Sequence, residues 1–357
     1  KAFRAGFPMV EKRPYLATAG GAPISRRAAE AGRRYYDETL HQGDAPFGEW
    51  LDRVDEVRAQ VGRLIGARAG QVAFVAHASA AMNIAALYLT PRAHVVSVRG
   101  EFPSVTQPFL ARGHEVAFVE PSIEAIAAAI RPDTAAIAVS HVQYQTGERL
   151  DLSLLGRIAR DADVLCFVDA TQSMGAVPVD FAAGPDLLTA SCYKWLCAGY
   201  GCGVVALSDR LLERASPVFG WRSAVEPYAL DETSADPAAT AVRLEMGHPP
   251  FAPVLCLGGA LGHLEETIGF DGVWPRIADL QTLVRSEAER LGMPPPSTPE
   301  GHSGIAVFPV SDPASVKASL ARAGIAVSAR AGSIRMSTHA FVSEDDVSRA
   351  MEAFAAL

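Results

Sequence analysis

Between about residues 70 and 207 the chain alternates short, almost wholly apolar runs with amphipathic segments, and this rhythm restricts the fold more than any other feature. "VAFVA" is followed by "SAAMNIAALYL", "HVVSV" by "PSVTQPFLAR", "EVAFVE" by "SIEAIAAAI", and "TAAIAVS" by "DLSLLGRIARD". "DVLCFVD", "DLLTAS" and "GVVALS" complete seven strand-sized runs. Strands that are apolar on both faces and separated by helices predict an α/β fold, with a mainly parallel seven-stranded sheet covered by helices. Upstream, "EWLDRVDEVRAQVGRLIGA" sets Leu51, Val54, Val57, Val61, Leu64 and Ile65 on one helical stripe ending near Gly66.

The alternation stops at residues 222–250, where "YALDETSADPAATA" reads as loop. Beyond it, "QTLVRSEAERL", the linker "PPPSTPEGHSG", "IAVFPV", "IAVSAR", "SIRMST" and the helical "SEDDVSRAMEAFAAL" predict a small α+β domain. The expected division is a large domain over 15–250 and a small one over 251–357, with the N-terminal segment 1–14 added to the small one. A length of 357 residues suits that two-domain reading.

Charge narrows the partners. The net charge is −8 with no Lys/Arg-rich run, which argues against nucleic acid or an anionic membrane. The longest apolar runs are strand-sized, so no bilayer-spanning segment is expected. The opening "KAFRAGFPMVEKRP" has no apolar signal core and begins on Lys1 rather than methionine, which points to a trimmed, processed or partial end. Five cysteines (166, 192, 197, 202 and 256) form no disulfide-like framework and no CxxC pair. A reducing, cytoplasmic setting and no metal site are expected.

In open α/β sheets, ligands bind at the carboxyl ends of the strands. After "VAFVA" comes "HASAAMN", with Ser79 as the expected N-cap of a helix whose start suits a phosphate. After "HVVSV", "RGEFPS" offers Phe102 to cover a flat ligand. After "TAAIAVS" comes the polar and aromatic run His141, Gln143, Tyr144, Gln145 and Thr146. Asp169 ends a strand that should be central, where a carboxylate needs a cation or strong donors, and Gln172 follows. Then "SCYKWLCAG" holds Lys194 among apolar neighbours, three residues after Ser191. The GxGxG at 199–203 lacks the helix and acidic residue of a dinucleotide fingerprint. A phosphate pocket, an aromatic cover, a buried carboxylate and a lysine at one sheet mouth fit pyridoxal phosphate. That cofactor uses a lysine Schiff base and an acid at its pyridine nitrogen.

These segments together resemble the class V aminotransferase family of pyridoxal-phosphate enzymes, which includes cysteine desulfurases, kynureninases and an isopenicillin epimerase. "VDATQSMGAVPVD" is similar to the family's D-x-[AS]-Q segment, implying Asp169 at the pyridine nitrogen and Gln172 at the phenolic oxygen. "TASCYKW" with "GYGCG" resembles the lysine segment and implies Lys194 as the Schiff-base residue, with Ser191 and Tyr193 toward the phosphate. "HASAAMN" resembles the phosphate segment, with Ala78 and Ser79 in place of paired threonines. "EFPS" implies Phe102 on the ring, and "SHVQYQTG" has Tyr144 where many members have asparagine. "EMGHPP" has His248 where threonine is usual, and "SIRMSTHAF" implies Arg335 for the substrate carboxylate.

The resemblance implies the fold of the family, a homodimer with shared active sites, and an amino acid as substrate. Trp221, Arg222 and His248 are then expected near the partner subunit's cofactor. Removal of the α-proton by Lys194 leads to transamination, the expected reaction, with a C–S or kynureninase-like C–C β-lyase, a desulfurase-like or an epimerase activity as alternatives. Residues 322–345 contain no cysteine, which disfavours persulfide-type desulfurase chemistry unless Cys256 serves. A nicotinamide oxidoreductase is disfavoured by the absent fingerprint. A binding module on the same scaffold is disfavoured by the presence of both Lys194 and Asp169.

Overall fold

The computed structural model describes all 357 residues. The seven apolar runs become β1 (Val72–Val75), β2 (His94–Val98), β3 (Glu115–Val119), β4 (Thr134–Ser140), β5 (Leu165–Asp169), β6 (Leu187–Ser191) and β7 (Gly203–Leu207) in one sheet of order β1-β7-β6-β5-β4-β2-β3. Neighbours are parallel except β7, which runs antiparallel to both β1 and β6. Successive side chains go to opposite faces. Cys166 and Val168 therefore join one core with the helices Phe47–Ile65, Leu152–Asp161 and Phe251–Thr267. Leu165 and Phe167 join the other, with the helices Ala78–Leu87 and Pro103–Ala111. Burial on both sides is why these strands read as continuous apolar runs, and only β3, at one edge, has fully exposed residues.

The helix Phe47–Ile65 ends where expected, on Gly66 in the left-handed region at φ 70°. The helix Phe251–Thr267 was expected to open the small domain, yet Phe251, Val254, Leu257, Ala260 and Leu261 are buried in the large sheet's core. Residues 222–250 are mostly loop, but contain the short 3₁₀ turns Pro227–Ala229 and Ala241–Leu244.

The remaining strands, β8 (Ile305–Pro309), β9 (Ser328–Arg330) and β10 (Ser333–Ser337), form a three-stranded antiparallel sheet of order β8-β10-β9. Its core takes in Ile334, Met336 and Phe341 together with Phe3, Phe7 and Val10 from the N-terminal segment. That segment continues into the sheet's edge through bridges from Tyr15 to Ala326 and from Ala17 to Ser337. β9 and β10 are joined by only Ala331 and Gly332, both with positive φ (45° and 74°), the backbone of a tight two-residue hairpin turn.

One close approach sets the width of the cleft described below. A Cβ on Gly203, the first residue of β7, would lie 2.8 Å from the His77 Cα and 2.9 Å from its carbonyl carbon. Backbone cannot yield as a flexible side chain does. Gly203→Ala is therefore expected to cost roughly 1–3 kcal/mol, read as a lower midpoint in urea unfolding. An unchanged midpoint would mean the two segments are free to separate.

Candidate active site

The carboxyl ends of β4, β5 and β6 open on a cavity of about 290 Å³. Register brings Ser140 and Asp169 side by side at the ends of β4 and β5, and Ser191 ends β6. The helix Ala78–Leu87 points its N-terminus into the cavity. Its N-cap is His77, whose Nδ1 accepts from the Ala80 amide at 3.1 Å. Ser79, expected as the cap, lies inside the first turn instead, so the helix begins earlier than the preference for small hydroxyl caps suggests. Its hydroxyl donates to Ser104 Oγ at 2.7 Å, while Ser191 Oγ accepts from the Ala78 amide at 3.0 Å. Three hydroxyls and a helix start thus make a ready anion cradle.

Asp169 is 5% exposed and makes no ion pair. Its Oδ1 accepts from the Thr171 amide at 2.8 Å. Burial pushes its carboxyl above the ordinary range, against the pull of Thr171 and the Lys194 charge. Lys194 is 8% exposed and has neither a hydrogen bond nor an ion pair, and its Nζ sits 5.7 Å from the Phe102 ring centroid and 5.6 Å from that of Tyr193. Burial brings its amine down to about 8. Asp169 opposes that shift, and Arg335 and Arg330 add to it.

Phe102 is the N-cap of the helix Pro103–Ala111, where proline at the first helical position fixes the entry angle. Its ring meets Tyr144 edge-on at 5.2 Å. Gln172 is clamped at both ends, with Nε2 donating to the Ala19 carbonyl at 3.0 Å and Oε1 accepting from Trp195 Nε1 at 2.9 Å. One amide hydrogen remains for a ligand. Tyr193 lines the cavity and stacks on Tyr200 at 4.3 Å.

Of the run after β4, only Tyr144 lines the cavity. His141 is buried behind it, and burial lowers its imidazole to about 3. Gln145 reaches the Tyr144 hydroxyl at 2.7 Å. Arg335, on β10, is 2% exposed and donates to the Tyr144 carbonyl, leaving Nε without a partner. Burial brings its guanidinium down to about 10, and Arg330 adds to the shift.

His248 is not in the cavity of this chain. It is exposed and packs edge-on against Trp221 (4.9 Å) and Phe47 (5.3 Å). Trp221 is 39% exposed, while Arg222 is buried and reaches the Tyr228 hydroxyl at 2.9 Å. All five cysteines are free and none lines the cavity. Cys192 and Cys202 face each other across 3.9 Å in the large core, and Cys256 packs against Gly32.

Glu101 was not anticipated. Its buried carboxylate accepts from the Phe102 amide and the Ser140 hydroxyl at 2.6 Å each, and from the Ser140 amide at 2.7 Å, tying the ends of β2 and β4 together behind Phe102. Thr171, Ser104 and Arg330 were likewise missed. A glutamate one residue before the aromatic at a strand end was the available signal.

A family model described as "Aminotransferase class-V" matches residues 14–350. The curated "Uncharacterized aminotransferase YcbU" of Bacillus subtilis is 29% identical over 74% of this chain and 72% of its own length. A cysteine desulfurase, IscS, of Glaesserella parasuis is 32% identical over half of each chain. Among solved structures, the cysteine desulfurase of Thermococcus onnurineus superposes with a TM-score of 0.86 at 21% identity, covering 98% of this chain and 96% of that one. The C-DES protein with glycine covalently linked to its PLP cofactor gives a TM-score of 0.90 at 18% identity, covering 99% and 98%.

Proposed function

The chain belongs to the class V aminotransferase family, and from that premise we propose that it transaminates an amino acid, with Lys194 as the residue that anchors the cofactor and carries the proton. It is a pyridoxal-phosphate enzyme of the aminotransferase or lyase kind. The observation that carries the reading is Lys194 itself, an unpaired amine buried between two aromatic rings beside a buried carboxylate that has no cation.

The residues fit the cofactor. Asp169 lacks the positive partner that its burial calls for, which a protonated pyridine nitrogen supplies. Ser79, Ser191 and the amides around Ala78 would hold the phosphate. Phe102 would cover the ring, and the free hydrogen of Gln172 would reach its phenolic oxygen. When bound, pyridoxal phosphate supplies an electron sink for charge developing at the substrate's α-carbon. Arg335 takes the substrate carboxylate through the guanidinium face that now lacks a partner. Lys194, whose amine burial brings down to about 8, takes the α-proton onto Nζ and passes it on without returning it to the α-carbon. Phe102, Tyr144 and Tyr193 exclude water from that transfer.

A β-lyase of the C–S or kynureninase-like C–C type, an epimerase or a desulfurase-like enzyme would share the first proton removal. The Bacillus relative named as an aminotransferase favours transamination. A cavity without a thiol disfavours persulfide transfer. A cytoplasmic homodimer belongs to the same reading. Five free cysteines support the compartment, and the exposed cluster of Trp221, Tyr228 and His248 supports a second copy that receives His248 near its cofactor. No helix is long and apolar enough to cross a membrane.

Three measurements test the reading. Borohydride reduction of the cofactor-loaded protein, followed by peptide mapping, should label Lys194, and a label elsewhere would overturn it. An amino-acid panel read for oxo acid, ammonia and sulfide should give oxo acid only with an amino acceptor present, whereas ammonia or sulfide release would favour a lyase. Uptake of the cofactor by the bare protein should also follow the neutral amine. Its rate should rise about tenfold per pH unit below about 8 and level off above it. An ordinary exposed lysine would still be gaining rate at pH 10.

A further inference from the structure

The small sheet sets two guanidiniums on one face. In the β9–β10 register Arg335 stands opposite Ser328, and Ser333 opposite Arg330. Opposed residues, and residues two apart on one strand, share a face. Arg330, Ser328 and Arg335 therefore point the same way, with the two arginines as diagonal neighbours about 7–8 Å apart. The Ala331–Gly332 turn allows no slip in that register.

Nothing in the chain answers these charges. Arg335 is buried with Nε unpartnered, Ser328 Oγ is buried and unpartnered beside it, and the exposed Arg330 makes neither hydrogen bond nor ion pair. By contrast the buried Arg58 is matched by Glu245. Arg335 donates to the carbonyl of Tyr144, which lines the cavity, so the pair stands beside the site although neither guanidinium is part of its lining. A single α-carboxylate neutralises only one of them.

We propose that the substrate carries a second anion, and that Arg330 is the residue that selects it. The substrate is then an amino acid whose side chain ends in a carboxylate, sulfinate or phosphate. The inference rests on the reading of Arg335 as the partner of the α-carboxylate. The α-carboxylate lies on buried Arg335, and the side-chain anion lies outward on exposed Arg330, with Ser328 Oγ between them as a neutral donor. The planar fork of arginine suits each of these oxyanions.

Calorimetric titration of the cofactor-loaded protein with glutarate and with pentanoate, which have equal carbon chains and differ by one carboxylate, tests the proposal. Glutarate should bind at least about tenfold more tightly than pentanoate to the wild type. Arg330→Gln should bring that ratio to about one. Arg322→Gln, which removes the same charge from the helix Pro313–Arg322, should leave the ratio unchanged. In turnover, the kcat/KM ratio of glutamate over norvaline should fall about tenfold in Arg330→Gln and partly recover in Arg330→Lys. A wild-type ratio near one, or a ratio untouched by Arg330→Gln, overturns the proposal while pentanoate binding still depends on Arg335. Pentanoate binding that Arg335→Gln does not weaken instead overturns the α-carboxylate reading, and this proposal with it.

Discussion

Lys194→Ala should leave a folded protein that turns over its substrate at least roughly 10³-fold more slowly and has no visible band that borohydride bleaches. The magnitude combines loss of positioned proton transfer, roughly 10²–10⁴ by itself, with loss of the covalent anchor. The fold should survive because the amine contributes no hydrogen bond or ion pair to it. Removing an amine whose charged form is already penalised by burial relieves a desolvation cost instead of adding one. The bare variant should therefore melt at or above the bare wild type. The same experiment separates chemistry from packing, since a purely structural lysine would change the melting temperature and leave the spectrum alone. A variant that keeps both the bleachable band and turnover would sink the assignment of Lys194.

Asp169→Asn should separate stability from activity in the other direction. Burial holds the Asp169 carboxyl above its ordinary range, so the folded chain keeps that proton to a higher pH than the unfolded chain does. The stability linked to this proton is full at acid pH and is lost as pH rises through the raised folded value. Above that raised value the ionised side chain is thus a burden on the bare protein. Asparagine keeps the oxygen that accepts from the Thr171 amide and carries no charge. The bare Asp169→Asn variant should melt no lower than wild type, and the gap between them should close as the pH falls. With cofactor, kcat/KM should drop roughly 10²–10³-fold, the scale on which removing one preorganised electrostatic group acts. A variant with near-normal turnover, or one whose bare form is destabilised, would remove Asp169 from its proposed role.

Much of this was readable because a two-sided parallel sheet leaves a strong trace. Seven apolar runs marked the strands, and the rule that ligands gather at strand ends led directly to Phe102, Asp169, Ser191 and Lys194. What escaped notice depends on distant partners. Nothing near Gln172 in sequence says that Ala19 and Trp195 hold its two ends. Capping preferences favour serine over histidine and so point to Ser79, whereas the ring nitrogen of His77 caps the helix two residues earlier. Glu101 reads as a surface charge until β4 brings Ser140 against it. Arg330 looks like any exposed arginine until the hairpin register sets it diagonally from Arg335. The helix Phe251–Thr267 is apolar nearly all round, so sequence alone could not tell which core it would enter.

The bridges from Tyr15 and Ala17 to Ala326 and Ser337 bear on how this chain is made. A ribosome delivers residues 1–17 more than 300 residues before their partners. Through that interval the core that Phe3, Phe7 and Val10 join stays incomplete, because Ile334, Met336, Phe341 and other members lie beyond residue 300. Contacts of such high sequence separation form late and slowly. The large sheet can fold while synthesis continues, leaving the apolar side chains of Phe3, Phe7 and Val10 waiting beside it. The step most open to misassembly is thus the docking of residues 1–17 onto residues 326–337, and chaperone dependence should be concentrated there.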